Sequence, residues 1–245
     1  MKPMLKYRGG KSKEIEFLEP HIPSYRGRYI EPFFGGGAMY FHIEPNTAVI
    51  NDINAPLMDF YREVRDNYSA LRTELDGLEA KYNENRQAFE ALKAQHPEER
   101  VEDRNEALYY WIRDMYNGRI APRFLDATIY YFINKTAYSG MIRYNAQGEY
   151  NVPYGRYKNF NTHLITAEHA SLLQNTDIRT GSYEAVFNDA TTEDFIFLDP
   201  PYDCIFSDYG NEEYRDGFGE DSHRQLAEDF FNLPCQALLV IGLTP

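Results

Sequence analysis

Cysteine is almost absent: Cys204 and Cys235 are the two in 245 residues. Two thiols cannot staple a chain of this size, so no disulfide framework is expected and a reducing cytosol suits the sequence. Long hydrophobic runs are missing too. No stretch offers the roughly 20 apolar residues that a membrane helix needs. The opening Met1-Lys2-Pro3-Met4-Leu5-Lys6 lacks the apolar core of a signal peptide. No His/Cys/Asp/Glu set has metal-ligand spacing, so no metal is expected. Cations are scarce, with 25 Lys and Arg against 38 Asp and Glu and a formal charge of −13. Over the whole chain that balance argues against a polyanionic partner, but the local distribution matters more. Tryptophan occurs once, whereas tyrosine and phenylalanine number 21 and 16. Most of these rings are expected in the core, with some left to stack on planar groups. A hydrophobic content of 43% is enough for one large domain, or for a domain with a sizeable insertion.

Asp194-Phe195-Ile196-Phe197-Leu198 is a short apolar run of the kind that forms a buried strand. Asp199-Pro200-Pro201-Tyr202 follows it at once. The prolines cannot continue a ladder, so the chain turns there. A carboxylate, a rigid turn and an aromatic therefore stand just past a strand's C-terminal end, the edge where open α/β sheets bind ligands. The plain alternative is a strand-ending turn with a capping aspartate.

Tyr29 to Phe33 reads as the first strand, a turn at Gly35 to Gly37 follows, and Ala38 to His42 reads as a helix. Glycine suits a turn where backbone nears a ligand or takes positive φ. The dinucleotide fingerprint would need a further glycine, so no pyrophosphate cradle is implied. Ala48 to Asn54 reads as a second strand ending in an acid, Asp52. An acid in that place accepts hydrogen bonds from ribose hydroxyls in Rossmann-like folds. The competing reading is a helix cap, with Asn54 an equal candidate. Near the N-terminus, Lys6-Tyr7-Arg8-Gly9-Gly10-Lys11 sets two glycines among cations. It suits a loop approaching an anionic or polar ligand, or else a solvated basic loop.

From Ala55 to about Phe132 the pattern is helical. Leu57, Phe60, Tyr61 and Val64 share one face. Glu74 to Arg100 reads as an exposed helical hairpin or a long solvated helix, and Asn105 to Tyr116 and Leu125 to Ile133 as two more helices. Arg143-Tyr144-Asn145, a turn at Ala146-Gln147-Gly148 and Tyr150-Asn151-Val152 then form a hairpin pattern. Between Arg119 and Lys158 cations outnumber acids by four, interleaved with aromatics. Such a block can read base edges or phosphates and wedge into a duplex, or be a tyrosine-rich structural hairpin. Later strands are expected at Asp177 to Arg179 and Ala237 to Ile241, with a loop from Cys204 to Gly219 and a helix from Ser222 to Phe231.

Asp199-Pro200-Pro201-Tyr202 and Glu31-Pro32-Phe33-Phe34-Gly35-Gly36-Gly37 together make the chain resemble the amino-methyltransferases that act on DNA. The match is to the adenine-N6 group typified by the Dam methylases, the alpha group of the D12 class. The hairpin block, with Tyr138-Ser139-Gly140-Met141-Ile142-Arg143-Tyr144-Asn145 and Asn151-Val152-Pro153-Tyr154-Gly155, resembles their recognition hairpin. The resemblance covers nearly the whole chain and implies a Rossmann-like α/β sheet that uses S-adenosylmethionine (SAM) and releases S-adenosylhomocysteine. It implies a SAM-binding catalytic domain from 1–54 and 165–245. Between these, 55–164 would be an inserted, mainly helical target-recognition domain ending in a β-hairpin. The family's C-terminal strands are expected to be missing.

By the same resemblance, Tyr7, Lys11, Glu31, Phe33, Gly35, Gly37, Asp52, Ser182, Tyr183 and Asp199 would bind SAM, with Tyr7 standing where many relatives carry tryptophan. Asp199, Pro200, Pro201 and Tyr202 would be catalytic, Tyr202 stacking on an extruded base. Tyr138, Arg143, Asn145 and Pro153 would form the recognition hairpin on double-stranded DNA at a GATC-like site, and the local cation surplus adds Arg119, Arg123, Lys135 and Arg156 as DNA contacts. A cytoplasmic monomer is expected, with a cognate restriction endonuclease as a partner. Two alternatives stand beside this: a cytosine-N4 enzyme, though that group more often carries Ser-Pro-Pro-Tyr, and an impaired or split DNA-binding relative.

Overall fold

A computed structural model describes residues 1–7, 9–201 and 218–241. In chain order the elements are α1 (Ile15–Leu18), β1 (Tyr29–Glu31), α2 (Ala38–Ile43), β2 (Ala48–Asp52), α3 (Ala55–Asp66), α4 (Tyr68–Gln95), α5 (Arg104–Tyr116), α6 (Asp126–Thr136), α7 (Ala167–Gln174), β3 (Thr176–Thr180), α8 (Tyr183–Phe187), β4 (Phe195–Leu198), α9 (Glu220–Phe231) and β5 (Gln236–Leu239). The strands form one sheet in the order β3-β2-β1-β4-β5. Every pairing is parallel. The expected α/β sheet is present.

Side-chain alternation assigns the two faces. Tyr29, Ala48, Ile50, Phe195 and Phe197 belong to a core shared with α3, α4, α5, α6 and α7. Ile30, Val49, Ile196 and Leu198 belong to a second core with α8 and α9. Strands buried on both faces read as continuous apolar runs, as these do. From β1 the chain winds outward to β2 and β3 on one side, while β4 and β5 lie on the other. The strand order therefore reverses between β1 and β4, and ligands bind outside the carboxyl ends of the strands at such a point.

Several local expectations need correction. β1 ends at Glu31 rather than Phe33, because Pro32 has no N–H to donate. The stretch from Glu74 to Arg100 is neither a hairpin nor wholly solvated. It lies largely in α4, a single helix that buries Leu71, Leu75, Leu78, Tyr82 and Asn85. Their spacing of four and three residues makes one stripe, diluted by charged neighbours. Two helices went unread. The N-cap of α7 is Thr166, answered by His169 where a capping box ordinarily carries Glu or Gln. The other, α8, has five residues. α3 falls within 55–164, yet it packs on β2, β3 and α7 as well as on α6, so it covers the sheet.

The base of the sheet is clasped by Arg28 and Asp194. Asp194 accepts from the Arg28 backbone at 2.7 Å and the guanidinium at 2.8 Å, and from Thr191. Burial raises the Asp194 pKa, but the hydrogen bonds from Arg28 and Thr191 outweigh it and hold it at about 2. A depressed carboxylate pKa stabilises the fold above the unfolded value and ceases to do so as pH falls through the folded one. Asp194→Ala is expected to cost about 3 kcal/mol at neutral pH. That deficit relative to wild type should shrink as pH is lowered from about 4 toward 2. Denaturant titrations at several pH values check both.

Candidate active site

The carboxyl ends of β1 and β4 bring the two sequence motifs together. Past β4, Asp199 lies half-buried with Oδ1 2.8 Å from the Lys11 Nζ. Lys11 is itself buried and also donates to the Gly9 carbonyl at 3.1 Å. A buried lysine requires a partner, and this one draws the N-terminal basic loop onto the Asp-Pro-Pro turn. Pro200 is buried and Pro201 half-buried beside it. Tyr202 and Cys204 fall outside the described residues, as does most of the loop expected from Cys204 to Gly219.

The glycine turn follows β1. Gly35 has φ +48 and Gly37, which caps α2, has φ +64. A Cβ on Gly35 would stand 2.7 Å from the Tyr7 ring, and one on Gly37 would stand 2.4 Å from the Phe34 ring. Both glycines are therefore demanded twice, by conformation and by close packing. Tyr7 lies over the turn.

Asp52 ends β2 and reaches into the same turn. Its Oδ2 accepts from the Gly35 N–H at 2.8 Å and its Oδ1 from the Asn54 N–H at 2.9 Å. Asn54 is the helix cap, its Oδ1 accepting from Leu57 at 3.2 Å. The open choice between the two residues is thus decided: Asn54 caps α3, and Asp52 braces the glycine turn. Burial raises the Asp52 pKa, while the backbone N–H groups of Asn54, Gly35 and Ile53 oppose the rise.

Glu31 is fully buried at the end of β1 and accepts from the Tyr29 hydroxyl at 2.8 Å. Burial is the main reason its pKa is pushed well up; Tyr29 and the Tyr40 backbone N–H oppose the rise, and the charges of Asp199 and Asp52 add to it. Phe33 packs against Tyr183 and Phe218, with ring centroids 5.4 and 5.8 Å away. The Tyr183 hydroxyl donates to Asp229 on α9 at 2.8 Å. Ser182 is exposed at the N-cap of α8.

The hairpin forms where expected. Tyr144 and Tyr150 pair antiparallel, and the turn is closed by Asn145, whose side chain accepts from Gln147 and Glu149. Its Tyr150 arm is moored to the C-terminal end of α5 through Asn117, which both donates to and accepts from the Tyr150 backbone. Arg143 is exposed and donates to Asn151 across the hairpin at 2.7 Å. Tyr138 is 58% exposed, although its neighbours Thr136 and Ala137 are wholly buried. Pro153 and Arg123 are exposed, and Arg156 is exposed 3.6 Å from Glu106.

Two of the cations differ in character from the rest. Arg119 spans Glu149 at 2.7 Å and Asp114 at 3.1 Å, so its guanidinium braces the hairpin against the end of α5. Lys135 is buried, and that burial, with the charge of Lys6, lowers its pKa to about 8.

The N-terminal segment ties these halves together. The Asn134 side chain accepts from the Lys6 N–H at 2.9 Å and donates to the Lys6 carbonyl at 2.8 Å. The Lys6 ammonium sits 3.9 Å over the Tyr157 ring. Tyr7 and Lys11 are thereby delivered to the turn from the base of the hairpin. Sequence reasoning missed Asn134, Asn51 and Tyr61. Asn51 donates to the carbonyls of Pro32 and Gly181, joining two loops at the sheet edge. A buried amide inside an apolar run is the signal that could have marked it.

A parallel sheet with a glycine turn after β1, an acid ending β2 and an Asp-Pro-Pro turn after β4 defines the class of Rossmann-like SAM-dependent amino-methyltransferases. A family model, D12 class N6 adenine-specific DNA methyltransferase, matches residues 7–237. The chain belongs to that family. It is 34% identical to the type II methyltransferase M.CviBI of Paramecium bursaria Chlorella virus NC1A, over the whole of this chain and 84% of the relative. It is 33% identical to the type II methyltransferase M.MjaIII of Methanocaldococcus jannaschii, over 95% and 80%. It is 28% identical to the DNA adenine methylase of Salmonella typhi, over 97% and 78%. The family is specific for adenine rather than cytosine, uses SAM and acts on DNA. Among the described residues no helix is long and apolar enough to cross a membrane.

Proposed function

We propose that this chain methylates N6 of adenine at a short site in duplex DNA, with Asp199 and the Pro200 carbonyl as the groups that act on the amino nitrogen. That nitrogen is a poor nucleophile because its lone pair is delocalised into the ring. Accepting its two hydrogens holds it near tetrahedral geometry and restores lone-pair density. SAM, when bound, supplies an electrophilic methyl group. The Lys11–Asp199 pair at the β1/β4 switch point is the observation that carries the reading. Lys11 keeps the carboxylate oriented and charged where the base must arrive. Tyr202 stacks on that base, and Pro201 stiffens the turn. Chemistry on a paired base requires that it be flipped out of the stack.

The cofactor lies between Tyr7, Phe33, the Gly35–Gly37 turn and Asp52, with Ser182 and Tyr183 along the adenine side and Glu31 supporting the turn from beneath. Residues 1–54 and 165–245 make the catalytic domain and 55–164 the recognition insertion, with α3 serving both. Tyr138 enters the stack, Arg143 reads the site, and Asn145 and Pro153 shape the hairpin. Arg123, Arg156 and Lys135 provide positive charge toward the backbone, and Arg119 holds the hairpin's posture. A GATC-like target, a monomeric state, a cytoplasmic setting and pairing with a cognate restriction endonuclease complete the proposal. Two relatives carry type II names, which favours the last of these.

Transfer of labelled methyl from SAM to unmethylated genomic DNA, followed by nucleoside analysis, tests the reading. N6-methyladenine is the expected product, and mapping the modified positions gives the site. SAM binding without transfer would reject the catalytic reading for this chain.

A further inference from the structure

We propose that Tyr61 is a positioning residue for the methyl donor, acting through the two peptide planes that flank Gly35. The proposal rests on reading the glycine turn as the cofactor's binding turn. Gly35 adopts φ +48, in the left-handed region. Its φ and ψ are the relative orientations of the peptide before it and the peptide after it. Asp52 holds the first plane, through the Gly35 N–H at 2.8 Å. Tyr61 holds the second, its hydroxyl donating to the Gly35 carbonyl at 3.1 Å. Among the described residues, no other side chain bonds to that carbonyl.

Tyr61 is well suited to this work. It is fully buried, and its ring meets Phe34 at 4.8 Å and Phe60 at 5.2 Å, both edge to face. The ring cannot swing away, so the hydroxyl presents a fixed donor. Tyr61 lies on α3, which begins at Ala55, three residues after Asp52, and is capped by Asn54. Both holds on the turn therefore come from one continuous stretch, the end of β2 and the first turns of α3. Glycine permits the turn's conformation but also permits many others. Without the second hold, the 35–36 peptide is free to rotate, and the turn must be ordered each time the donor binds. Preorganisation of this kind is expressed as affinity.

Tyr61→Phe removes one oxygen and keeps the ring. The expected result is a rise in KM for SAM of about tenfold, matched by calorimetric Kd, which corresponds to the loss of one hydrogen bond to a buried carbonyl. The kcat at saturating SAM and the KM for DNA should stay within about twofold of wild type, since this loss falls on ground-state binding. Tyr40→Phe is the control. The Tyr40 hydroxyl is also buried and paired, with the Thr176 Oγ1 at 2.6 Å, at the start of β3. Its removal should lower Tm to a similar degree and leave the KM for SAM unchanged. If Tyr61→Phe leaves the KM unchanged, or the two variants raise it equally, the positioning role is overturned. If wild-type protein neither binds SAM nor transfers methyl, the functional reading itself falls, and the proposal with it.

Discussion

Asp199→Ala is expected to lower methyl transfer to adenine by roughly 10³-fold or more while leaving a SAM-dependent rise in melting temperature. The substitution removes the proposed acceptor for one amino hydrogen. It does not touch the glycine turn, Asp52 or the hydrogen bonds between them. It also leaves the Lys11 ammonium, 4% exposed, without its carboxylate, so some loss of stability accompanies the loss of rate. Asp199→Asn separates these effects. An amide keeps an acceptor oxygen but carries no charge, so transfer should fall less than in the alanine variant. Single-turnover transfer on a methylatable duplex reads the chemical step, and thermal melts with and without SAM read the cofactor site. Wild-type activity in Asp199→Ala would sink the mechanism.

Asp52→Ala should weaken SAM binding by about a hundredfold, as expected for two charge-assisted hydrogen bonds. The carboxylate is proposed to receive the ribose hydroxyls. It also accepts the N–H groups of Gly35 and Asn54, and its removal leaves both donors buried without that acceptor. The turn then loosens at the residue that already needs positive φ. Calorimetric titration with SAM checks the affinity. A variant that binds SAM like wild type would overturn both the ribose contact and the bracing of the turn as sources of affinity. A pH dependence should accompany wild-type binding. Burial raises the Asp52 pKa above its ordinary 3.8, and protonation removes the negative acceptor. Affinity should therefore decline as pH falls, beginning above that ordinary value, and the decline should be absent from Asp52→Ala.

Much of the fold was legible because its signals are local. The apolar runs at Ile30, at Val49 to Ile50 and at Phe195 to Leu198 announce strands buried on both faces. Pro200 and Pro201 end the last of these by covalent geometry alone. Gly35 and Gly37 mark a turn because a Cβ is excluded there. Gly148, at φ +77, and Asn145, whose side chain accepts from Gln147 and Glu149, mark the hairpin turn. The failures were equally local in origin. His169 stood where a capping box is read from Glu or Gln. The charged face of α4 hid a buried stripe that only its neighbours make apolar in context.

What the sequence by itself determined is therefore most of the elements and the two motifs, since backbone sterics and side-chain period act within a few residues. What only the tertiary structure decided is which groups meet. Lys11 and Asp199 come from opposite ends of the chain, and nothing in either motif names the other. The division of labour between Asp52 and Asn54 depended on where Gly35 came to rest. Arg119 has the composition of a DNA contact, but the fold places two carboxylates around it. Coulombic and hydrogen-bond partners are chosen by distances of a few ångströms, and the parallel sheet and its packed helices set those distances.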